Sequence, residues 1–518
     1  MPTTAGPTSD SVSTHPSGLP QTVVIVMADD MGFGDLEVLN PQSKIPTPHM
    51  NAVAATGVSF RDAHSASSVC TSSRYGFLTG RYCWRSALPF GVFAGYEAPL
   101  IEPDRPTIAT VLRSAGYTTA AVGKWHLGFG YHTHDGLPVD DGAPLPRPTA
   151  TRELEESIDF EGRLTGGPIE LGFDTFFGTS GCPTCQPPYG WIDQDRFVDP
   201  PSVYETEFPY TGRPGMTSPG WAHDEADPII VARAVDIIRT TPLDQPLFVY
   251  VGLDAPHEPC TDDVVPMIAR GRSGAGPRGD LVWMVDHAVG EIVAALDETG
   301  RAPDTLLVVT SDNGALAGDR IMDDGHEVYR TYDHLSSGDW RGHKAHIWEG
   351  GHREPLLIRW PNRIPAGVES DALVCLTDLF ATLAAVTGAV IPAGAGEDSV
   401  DISSVLFSPV LGGDTSSPRT SMIHHSQRGV FAVREGDWKV ILGTDGSGGW
   451  PPPSGGGPVE GVDGQLYNLA DDPTESRNLW HDRPDIIDRL SDLLTDTRAD
   501  GRTAERPAAT SGSDSIGQ

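Results

Sequence analysis

The sequence predicts an α/β fold: a large, mostly parallel sheet flanked by helices on both faces, plus a smaller C-terminal subdomain with an antiparallel sheet and a helix. Three observations lead to this prediction. Short apolar runs alternate with stretches of helical periodicity, several of these runs end in polar residues, and the spacing becomes that of hairpins near the end of the chain. Alternating strands and helices are typical of a parallel sheet with both faces covered.

The first elements follow this pattern in order. Val23–Met27 is a continuous apolar run, as expected for a strand buried on both faces, and it leads into Asp29 and Asp30. Thr107–Ala115 has helical spacing and stops at a glycine. The strand predicted at Tyr117–Val122 then runs into the polar segment Gly123–His126.

The same unit recurs in the second half of the main domain. A strand predicted at Pro246–Leu253 runs into Ala255–His257, and helical spacing over Leu281–Leu296 precedes an apolar strand at Leu306–Val309. That last strand ends at Ser311–Gly314. Each polar cluster therefore follows the carboxyl end of a strand, which is where open α/β sheets bind their ligands.

The end of the chain has a different character. Gly429–Leu442 reads as two strands around a tight turn, Gln465–Leu469 as a further strand, and Pro484–Thr497 as a closing helix. The chain is therefore divided into a disordered tail at 1–20, a main domain at 21–410, a C-terminal subdomain at 411–500 and a second disordered tail at 501–518.

Composition excludes several classes of partner. The 518-residue chain is 38% hydrophobic and 21% charged, as in globular proteins, and its formal charge of −35 argues against binding to nucleic acid or to anionic membranes. No apolar segment is long enough to span a membrane. Met1–Pro20 has no apolar core like that of a secretory signal, so we expect a cytoplasmic protein, or one whose export signal has been removed.

The six cysteines do not suggest a dense disulfide framework. Cys182 and Cys185 have the spacing of a redox or zinc motif, but no second pair completes a four-cysteine zinc site. The sequence therefore favours a local disulfide or two free thiols over a zinc role for this pair.

Two of the strand-end clusters have the composition of a metal site. Asp29, Asp30, Asp312 and Asn313 offer only oxygen ligands, which suit Ca²⁺ or Mg²⁺ better than zinc. Each cluster alone is more often a turn, but two clusters after buried strands favour the metal. Neighbouring residues of a regular strand point to opposite faces, so Asp29 and Asp30 can share an ion only where the strand has ended.

Candidate cationic groups lie close to the same strand ends. Arg74 follows Cys70 by four residues, so the two share a face if both lie on one helix. Lys124 and His126 lie in the loop predicted after the second strand. Lys344 shortly precedes the glycine-rich and aromatic segment Trp348–Pro355, a setting less typical of a solvated surface lysine.

These motifs resemble those of type I sulfatases, which belong to the alkaline phosphatase superfamily. The resemblance appears, in the order of the family, at six separated places: Met27–Asp30, Cys70–Arg74, Gly123–Gly128, Ala255–Pro259, Thr310–Gly314 and Trp348–Pro355. It runs from about residue 22 to about residue 495 and includes Leu466–Leu469 and Asp472–Pro473. The resemblance implies that residues 21–410 form a catalytic sulfatase domain.

The resemblance also implies a nucleophile and a metal ion. In the family this cysteine is oxidised to formylglycine by a formylglycine-generating enzyme, and a hydroxyl of the hydrated aldehyde attacks the sulfur of a sulfate ester. Cys70 would be that cysteine. The ligands of a Ca²⁺ ion would be Asp29, Asp30, Asp312, Asn313 and the modified Cys70.

Other roles are implied for the surrounding cations and histidines. Lys124 and Lys344 would neutralise the sulfate oxygens, and Arg74 would stabilise the hydrated aldehyde. His257 would protonate the leaving oxygen, and His126 would take a proton from the remaining hydroxyl, which releases sulfate. The substrate would be a small aryl or carbohydrate sulfate.

One residue departs from the family pattern. The family has Cys-x-Pro-x-Arg, whereas Ser72 stands at the proline position here. Two alternatives therefore remain beside an active sulfatase. One is a phosphate or phosphonate ester hydrolase of the same superfamily, and the other is an inactive protein that binds sulfated ligands with an unmodified Cys70.

The substrate itself leaves little trace in the sequence. Two segments rich in proline and glycine, Phe129–Gly172 and Gly181–Trp221, are expected to form the rim of the pocket. Residues in or near such loops that are candidates to face a sugar or aryl ring are Tyr189, Trp191, His223 and His326, although packing is the commoner role for such side chains.

Overall fold

The computed structural model describes residues 18–139, 145, 150–206, 213–316, 331–408, 417–450 and 461–503. The strands are β1 (Thr22–Ala28), β2 (Val58–Phe60), β3 (Ala63–His64), β4 (Thr118–Lys124), β5 (Thr175–Thr179), β6 (Ile192–Asp193), β7 (Arg196–Phe197), β8 (Val203–Glu205), β9 (Gly215–Thr217), β10 (Leu247–Gly252), β11 (Thr305–Ser311), β12 (Leu356–Arg359), β13 (Val368–Ser370), β14 (Val374–Cys375), β15 (Ser421–His425), β16 (Phe431–Glu435), β17 (Trp438–Ile441) and β18 (Gln465–Asn468). The α-helices are α1 (Pro48–Ala55), α2 (Cys70–Thr79), α3 (Ile108–Ser114), α4 (Arg152–Ser157), α5 (Ala226–Thr240), α6 (Gly276–Glu298), α7 (Asp378–Thr387), α8 (Ser403–Leu406) and α9 (Pro484–Asp500).

A ten-stranded sheet forms the centre of the main domain, in the order β13-β2-β12-β11-β1-β10-β4-β5-β6-β7. The five consecutive strands from β11 to β5 are parallel, whereas β12 joins β11 and β6 joins β5 in antiparallel pairs. Strand β1 lies between β10 and β11, so the carboxyl ends of these three strands meet. The prediction of a mostly parallel sheet is confirmed.

Strand β1 shows why its sequence is apolar throughout. Val23, Ile25 and Met27 face a core that also contains residues of α2, α3 and α7. Val24 and Val26 face the opposite core, which contains residues of α1, α5 and α6. Since successive side chains of a strand point to opposite faces, a strand covered by helices on both sides has no polar face.

The C-terminal subdomain is a four-stranded antiparallel sheet in the order β15-β16-β17-β18. Helix α9 packs on it through Ile486, Leu490 and Leu494, which share a hydrophobic cluster with Val433 and Val440. The predicted hairpin and closing helix are therefore present, and the helix extends to Asp500. Together with the main sheet they complete the predicted fold class.

Two details refine the sequence predictions. Lys124 is the last residue of β4, not part of the loop after it, because β4 pairs with β5 as far as Lys124 and Thr179. The two predicted tails fall almost entirely outside the described residues, and their disorder stays a prediction. Among the described residues, none of the helices combines the length and apolar character needed to cross a membrane.

Candidate active site at the carboxyl ends of the parallel strands

Asp29 and Asp30 lie immediately beyond β1, where the chain leaves the strand. Asp30 has a φ angle of 68°, in the left-handed region, so the regular alternation of side chains is broken at this point. Arg278 of α6 stabilises the turn, because its Nη2 donates to the Asp30 carbonyl oxygen at 2.9 Å while its guanidinium also binds the carboxylate of Asp35. The two aspartates can therefore contribute to one site, as the sequence predicts.

Four of the five predicted metal ligands meet beside this turn. The backbone amide of Asp30 donates to Oδ1 of Asp312 at 3.3 Å, and Nδ2 of Asn313 donates to Oδ1 of Asp30 at 2.6 Å. All four side chains are buried, and Oδ1 of Asn313 has no hydrogen-bond partner among the described residues. A buried acceptor without a donor is costly, so this oxygen is suited to a cation.

The electrostatics of the cluster also fit a cation. Burial raises the pKa of Asp30 to about 7, with a further increase from the nearby Asp29 and Asp312, although Lys344 opposes it. Burial and Asp29 likewise raise the pKa of Asp312. Three carboxylates crowded together favour a divalent ion, and an oxygen-only donor set fits Ca²⁺ or Mg²⁺.

Cys70 is the first residue of α2, and its Sγ lies 3.4 Å from Oδ1 of Asp29. Arg74, one turn further along the same helix, donates from Nε to Oδ2 of Asp312 at 2.9 Å and from Nη2 to Oδ2 of Asp29 at 3.1 Å. The predicted shared helical face therefore exists. Burial and the carboxylate of Asp29 raise the pKa of the Cys70 thiol, which disfavours a simple thiolate nucleophile.

Ser72 occupies a position that would also accept proline. It lies in the first turn of α2, where the backbone amide has no intrahelical acceptor, and the first helical hydrogen bond comes from Ser73 to the Val69 carbonyl oxygen at 3.1 Å. Its Oγ donates to the carbonyl oxygen of Gly91 at 3.1 Å. The departure from the family pattern is therefore compatible with the folded site.

Two buried lysines approach the carboxylates from different elements. Nζ of Lys124 contacts Oδ2 of Asp29 and lies 2.8 Å from Sγ of Cys182. Nζ of Lys344 lies 2.7 Å from Oδ1 and 2.8 Å from Oδ2 of Asp30. Although burial lowers the pKa of each lysine, Asp29 raises that of Lys124 and Asp30 raises that of Lys344, so both remain charged.

The two candidate histidines have different surroundings. His257 follows β10; its Nε2 lies 3.7 Å from Oδ2 of Asp30 and its Nδ1 lies 2.9 Å from the carbonyl oxygen of Glu258. Nε2 of His126 faces the carbonyl oxygen of Phe93 at 3.0 Å, and its Nδ1 has no partner among the described residues. Burial lowers the pKa of both rings, so both are neutral at rest.

The structure also shows residues of the site that the sequence prediction missed. Cys182 lies between Lys124 and His257, and Asp254 lies in the same loop as His257. Asp254 comes two residues after the end of the buried strand β10, so the strand-end rule that selected Asp29 could also have identified Asp254. Arg278 gave no signal, because a single arginine at the start of a helix is usually exposed.

The candidate ring-facing residues serve mainly in packing. Tyr189 is fully buried, and its hydroxyl donates to the carbonyl oxygen of Arg213 at 2.9 Å. Trp191 stacks on Phe177 with ring centroids 5.0 Å apart, and His223 is hydrogen-bonded to Trp221. His326 lies outside the described residues.

Comparison with known proteins agrees with the fold. The family model described as Sulfatase matches residues 21–389. An N-acetylgalactosamine-6-O-sulfatase of Bacteroides thetaiotaomicron is 31% identical over 496 residues, which cover 91% of this chain and 92% of that protein. Arylsulfatase A of Homo sapiens is 31% identical over 494 residues, covering 92% and 87% respectively.

A solved structure shows the same architecture. It comes from work on the metabolism of multiple glycosaminoglycans by Bacteroides thetaiotaomicron, and it matches with a TM-score of 0.77 and 29% sequence identity. The match covers 93% of this chain and all of that one. From the matching family model, the full-length relatives and the shared fold, the chain belongs to the sulfatase family and is a sulfate ester hydrolase.

Proposed function

We propose that this sulfatase hydrolyses aryl or carbohydrate sulfate monoesters with a formylglycine made from Cys70 by a formylglycine-generating enzyme. The observation that carries the proposal is the position of Cys70 at the start of α2, 3.4 Å from Asp29 and beside a cluster of buried cations. Oxidised and hydrated, this residue would supply a hydroxyl group as the nucleophile toward sulfur. The raised pKa of the unmodified thiol argues that cysteine itself is not the reacting group.

A calcium ion is the proposed occupant of the oxygen cluster, with magnesium as an alternative. Its ligands would be Asp29, Asp30, Asp312, Asn313 and the modified Cys70. When bound, such an ion neutralises negative charge on a sulfate oxygen and orients the nucleophile. The buried Oδ1 of Asn313, which has no hydrogen-bond donor among the described residues, is the strongest single reason to propose a cation here.

The charge of the filled site explains how a chain of formal charge −35 can bind an anion. Three carboxylates would face one divalent ion and the three cations Arg74, Lys124 and Lys344, so positive charge would exceed negative charge by two. Since these cations are buried and held in place by the carboxylates, they would stabilise charge on the sulfate group without reorganising.

His257 is the proposed proton donor to the leaving oxygen. Because its Nδ1 faces a carbonyl oxygen, the neutral ring carries its proton on Nδ1, and Nε2 can donate only when the ring is doubly protonated. Burial, Lys344 and Lys124 lower the pKa of this ring and oppose that form, whereas the Asp29 carboxylate favours it. His126, whose buried Nδ1 has no partner among the described residues, is the proposed acceptor of the proton whose removal releases sulfate.

Paired esters test the proposal directly. Protein made together with a formylglycine-generating enzyme should hydrolyse 4-nitrophenyl sulfate much faster than 4-nitrophenyl phosphate, and Cys70→Ala should hydrolyse neither. A preference for the phosphate ester would favour the phosphohydrolase alternative. Binding of sulfated ligands without turnover, by protein whose Cys70 is unmodified, would favour the binding protein.

A natural substrate can be tested in the same way. Because a relative of 31% identity is named an N-acetylgalactosamine-6-O-sulfatase, we include N-acetylgalactosamine 6-sulfate among the candidate substrates. The same sugar sulfated at position 4 is the matched control. Release of sulfate from the first and not from the second would place this chain with that relative in specificity.

A further inference from the structure

We propose that Cys182, Cys185 and His257 form a binding site for a thiophilic divalent ion such as Zn²⁺, and that an ion bound there inhibits the enzyme. Sγ of Cys182 lies 3.6 Å from Nε2 of His257, and Sγ of Cys185 lies 3.7 Å from Nδ1 of the same ring. All three side chains are buried, and three of their ligand atoms lie within 4.8 Å of one another.

The spacing fits tetrahedral zinc. With a Zn–S distance of about 2.3 Å and a Zn–N distance of about 2.05 Å, a tetrahedral angle separates sulfur and nitrogen by about 3.6 Å. This is the distance between Cys182 and Nε2 of His257. Because Nδ1 faces the carbonyl oxygen of Glu258, Nε2 is the nitrogen that would bind the ion. Sγ of Cys185 lies within 4.8 Å of Sγ of Cys182, and it would have to move from its contact with Nδ1 to reach the same ion.

Asp254 is a further candidate ligand on the side of Cys182. Asp254 offers a carboxylate oxygen within 4.8 Å of Sγ of Cys182. Its Oδ2 accepts a hydrogen bond from Oγ1 of Thr184 at 2.7 Å, whereas its buried Oδ1 has no partner among the described residues. A pocket lined by Thr184, His223, Asp254 and His257 borders this side of the ring.

The chemistry separates this site from the calcium cluster beside it. Two sulfurs and an imidazole nitrogen select zinc and similar ions, whereas Asp29, Asp30, Asp312 and Asn313 offer only oxygen. Zinc binding would release the thiol protons to solvent. It would also occupy Nε2 of His257 and place a positive charge beside Lys124, whose Nζ lies 2.8 Å from Cys182.

Inhibition follows from these two effects. A ring whose Nε2 is bound to zinc cannot protonate a leaving oxygen, and displacement of Lys124 would remove a cation from the sulfate. The inhibitory part of the inference rests on the proposed role of His257. The binding part rests only on the positions of the ligand atoms.

Cobalt is the probe for the site, because Co²⁺ bound by thiolates shows intense ligand-to-metal absorption in the near ultraviolet. Reduced, calcium-loaded protein should bind one Co²⁺ with this absorption, and Zn²⁺ should displace it. Cys182→Ser and Cys185→Ser should each weaken binding by about 100-fold or more. Cys83→Ser, which changes a buried cysteine elsewhere in the chain, is the matched control and should keep both absorption and affinity.

Activity provides the second measurement. Zn²⁺ should inhibit turnover reversibly in excess calcium, and Cys185→Ser should resist inhibition when each protein is compared with its own zinc-free rate. Cobalt bound without thiolate absorption, or equal zinc affinity in Cys185→Ser, would overturn the proposed site. Because the spectrum does not require turnover, failure of this inference is distinguishable from failure of the proposed function.

Discussion

The molecule contains two buried ionic clusters that differ in how their charged groups are paired. The interface network joins Asp62, Glu349 and Arg353 of the main domain to Arg434 and Lys439 of the C-terminal sheet. Asp62 and Glu349 are each bridged by two cations at 2.7–2.9 Å, and Lys439 also binds Glu475 at 2.8 Å. The active-site cluster instead places the carboxylates of Asp29, Asp30 and Asp312 close together beside Asn313.

The pKa values record the difference. Arg353 and Arg434 hold the pKa of Asp62 well below its usual range, and Lys439 and Arg353 do the same for Glu349, although burial opposes them. In the active site, burial and neighbouring carboxylates raise the pKa of Asp30 to about 7. Cations hold Asp62 and Glu349 ionised in the interface network, and they also hold the pKa of Asp29 low in the active site. The active-site cluster differs because the pKa values of Asp30 and Asp312 are raised and Oδ1 of Asn313 has no donor among the described residues, an arrangement suited to a further cation.

The largest effect should come from His257 in the active-site cluster, and it should depend on the leaving group. His257→Ala should slow hydrolysis of a sugar sulfate by about 10²–10⁴-fold, because an alkoxide leaves poorly without a proton. Hydrolysis of 4-nitrophenyl sulfate, whose leaving group needs little protonation, should change much less. Equal losses for both substrates in steady-state kinetics would remove His257 from the role of proton donor.

The same substitution in both clusters tests the comparison most sharply. Lys344→Met should lower turnover by about 10²–10³-fold with little change in melting temperature, since the metal-loaded site has excess positive charge. Lys439→Met should leave Glu349 and Glu475 without their shared cation and cost about 3–5 kcal/mol of stability.

Calorimetry and kinetics on the two methionine variants read out these effects. Turnover per folded molecule of Lys439→Met should stay close to that of the protein without the substitution. If Lys344→Met destabilises the protein as much as Lys439→Met does, the distinction between the two clusters is wrong.

Metal removal should affect only the active-site cluster. Exhaustive chelation with EGTA should slow turnover by about 100-fold, because the proposed ion would no longer neutralise negative charge at Asp29, Asp30 and Asp312, and Ca²⁺ should restore the rate. Elemental analysis of the chelated protein is the necessary control. Full activity in protein shown to be free of metal would refute the proposed calcium site.

These clusters also show how far the sequence alone can lead. The apolar runs at β1, β10 and β11 predict the strands to within one or two residues, and the strand-end rule then selects Asp29 and Asp312 correctly as neighbours. That success has a physical basis, because a strand covered on both faces must be apolar and its polar continuation must lie at the sheet edge.

The partners across long loops could not be predicted in the same way. Cys182 lies in a loop without helical or strand periodicity. The sequence therefore shows its spacing to Cys185 but not its contact with Lys124. Glu349 and Lys439 are separated by 90 residues, and nothing in the sequence around either residue indicates that the two are in contact. Such pairings depend on how the subdomain docks, which local patterns do not encode.

The smallest effect should be a pH dependence of stability that originates in the interface network. Burial lowers the pKa of His64 to about 4, and the ring contacts Asp62 at 2.8 Å. Between about pH 4 and 6.5 the unfolded chain therefore takes up a proton that the folded chain does not. The contribution of this histidine to the free energy of unfolding is fully present above about pH 6.5. It should decrease by about 1.4 kcal/mol per pH unit as the pH falls from about 6.5 to about 4.

Urea unfolding at pH 7, 6 and 5 measures this slope. His64→Gln should flatten it by the share of one proton, and His49→Gln, which changes a histidine outside the interface network, should not. A slope that is unchanged by His64→Gln would show that this ring is protonated in the folded state.

Mass spectrometry of the tryptic peptide Asp62–Arg74 shows whether Cys70 is converted to the nucleophile despite Ser72. In protein from its native host, we expect a peptide that carries formylglycine at position 70 and reacts with an aldehyde reagent. If an active enzyme from that host carries only unmodified cysteine in this peptide, formylglycine is not its nucleophile.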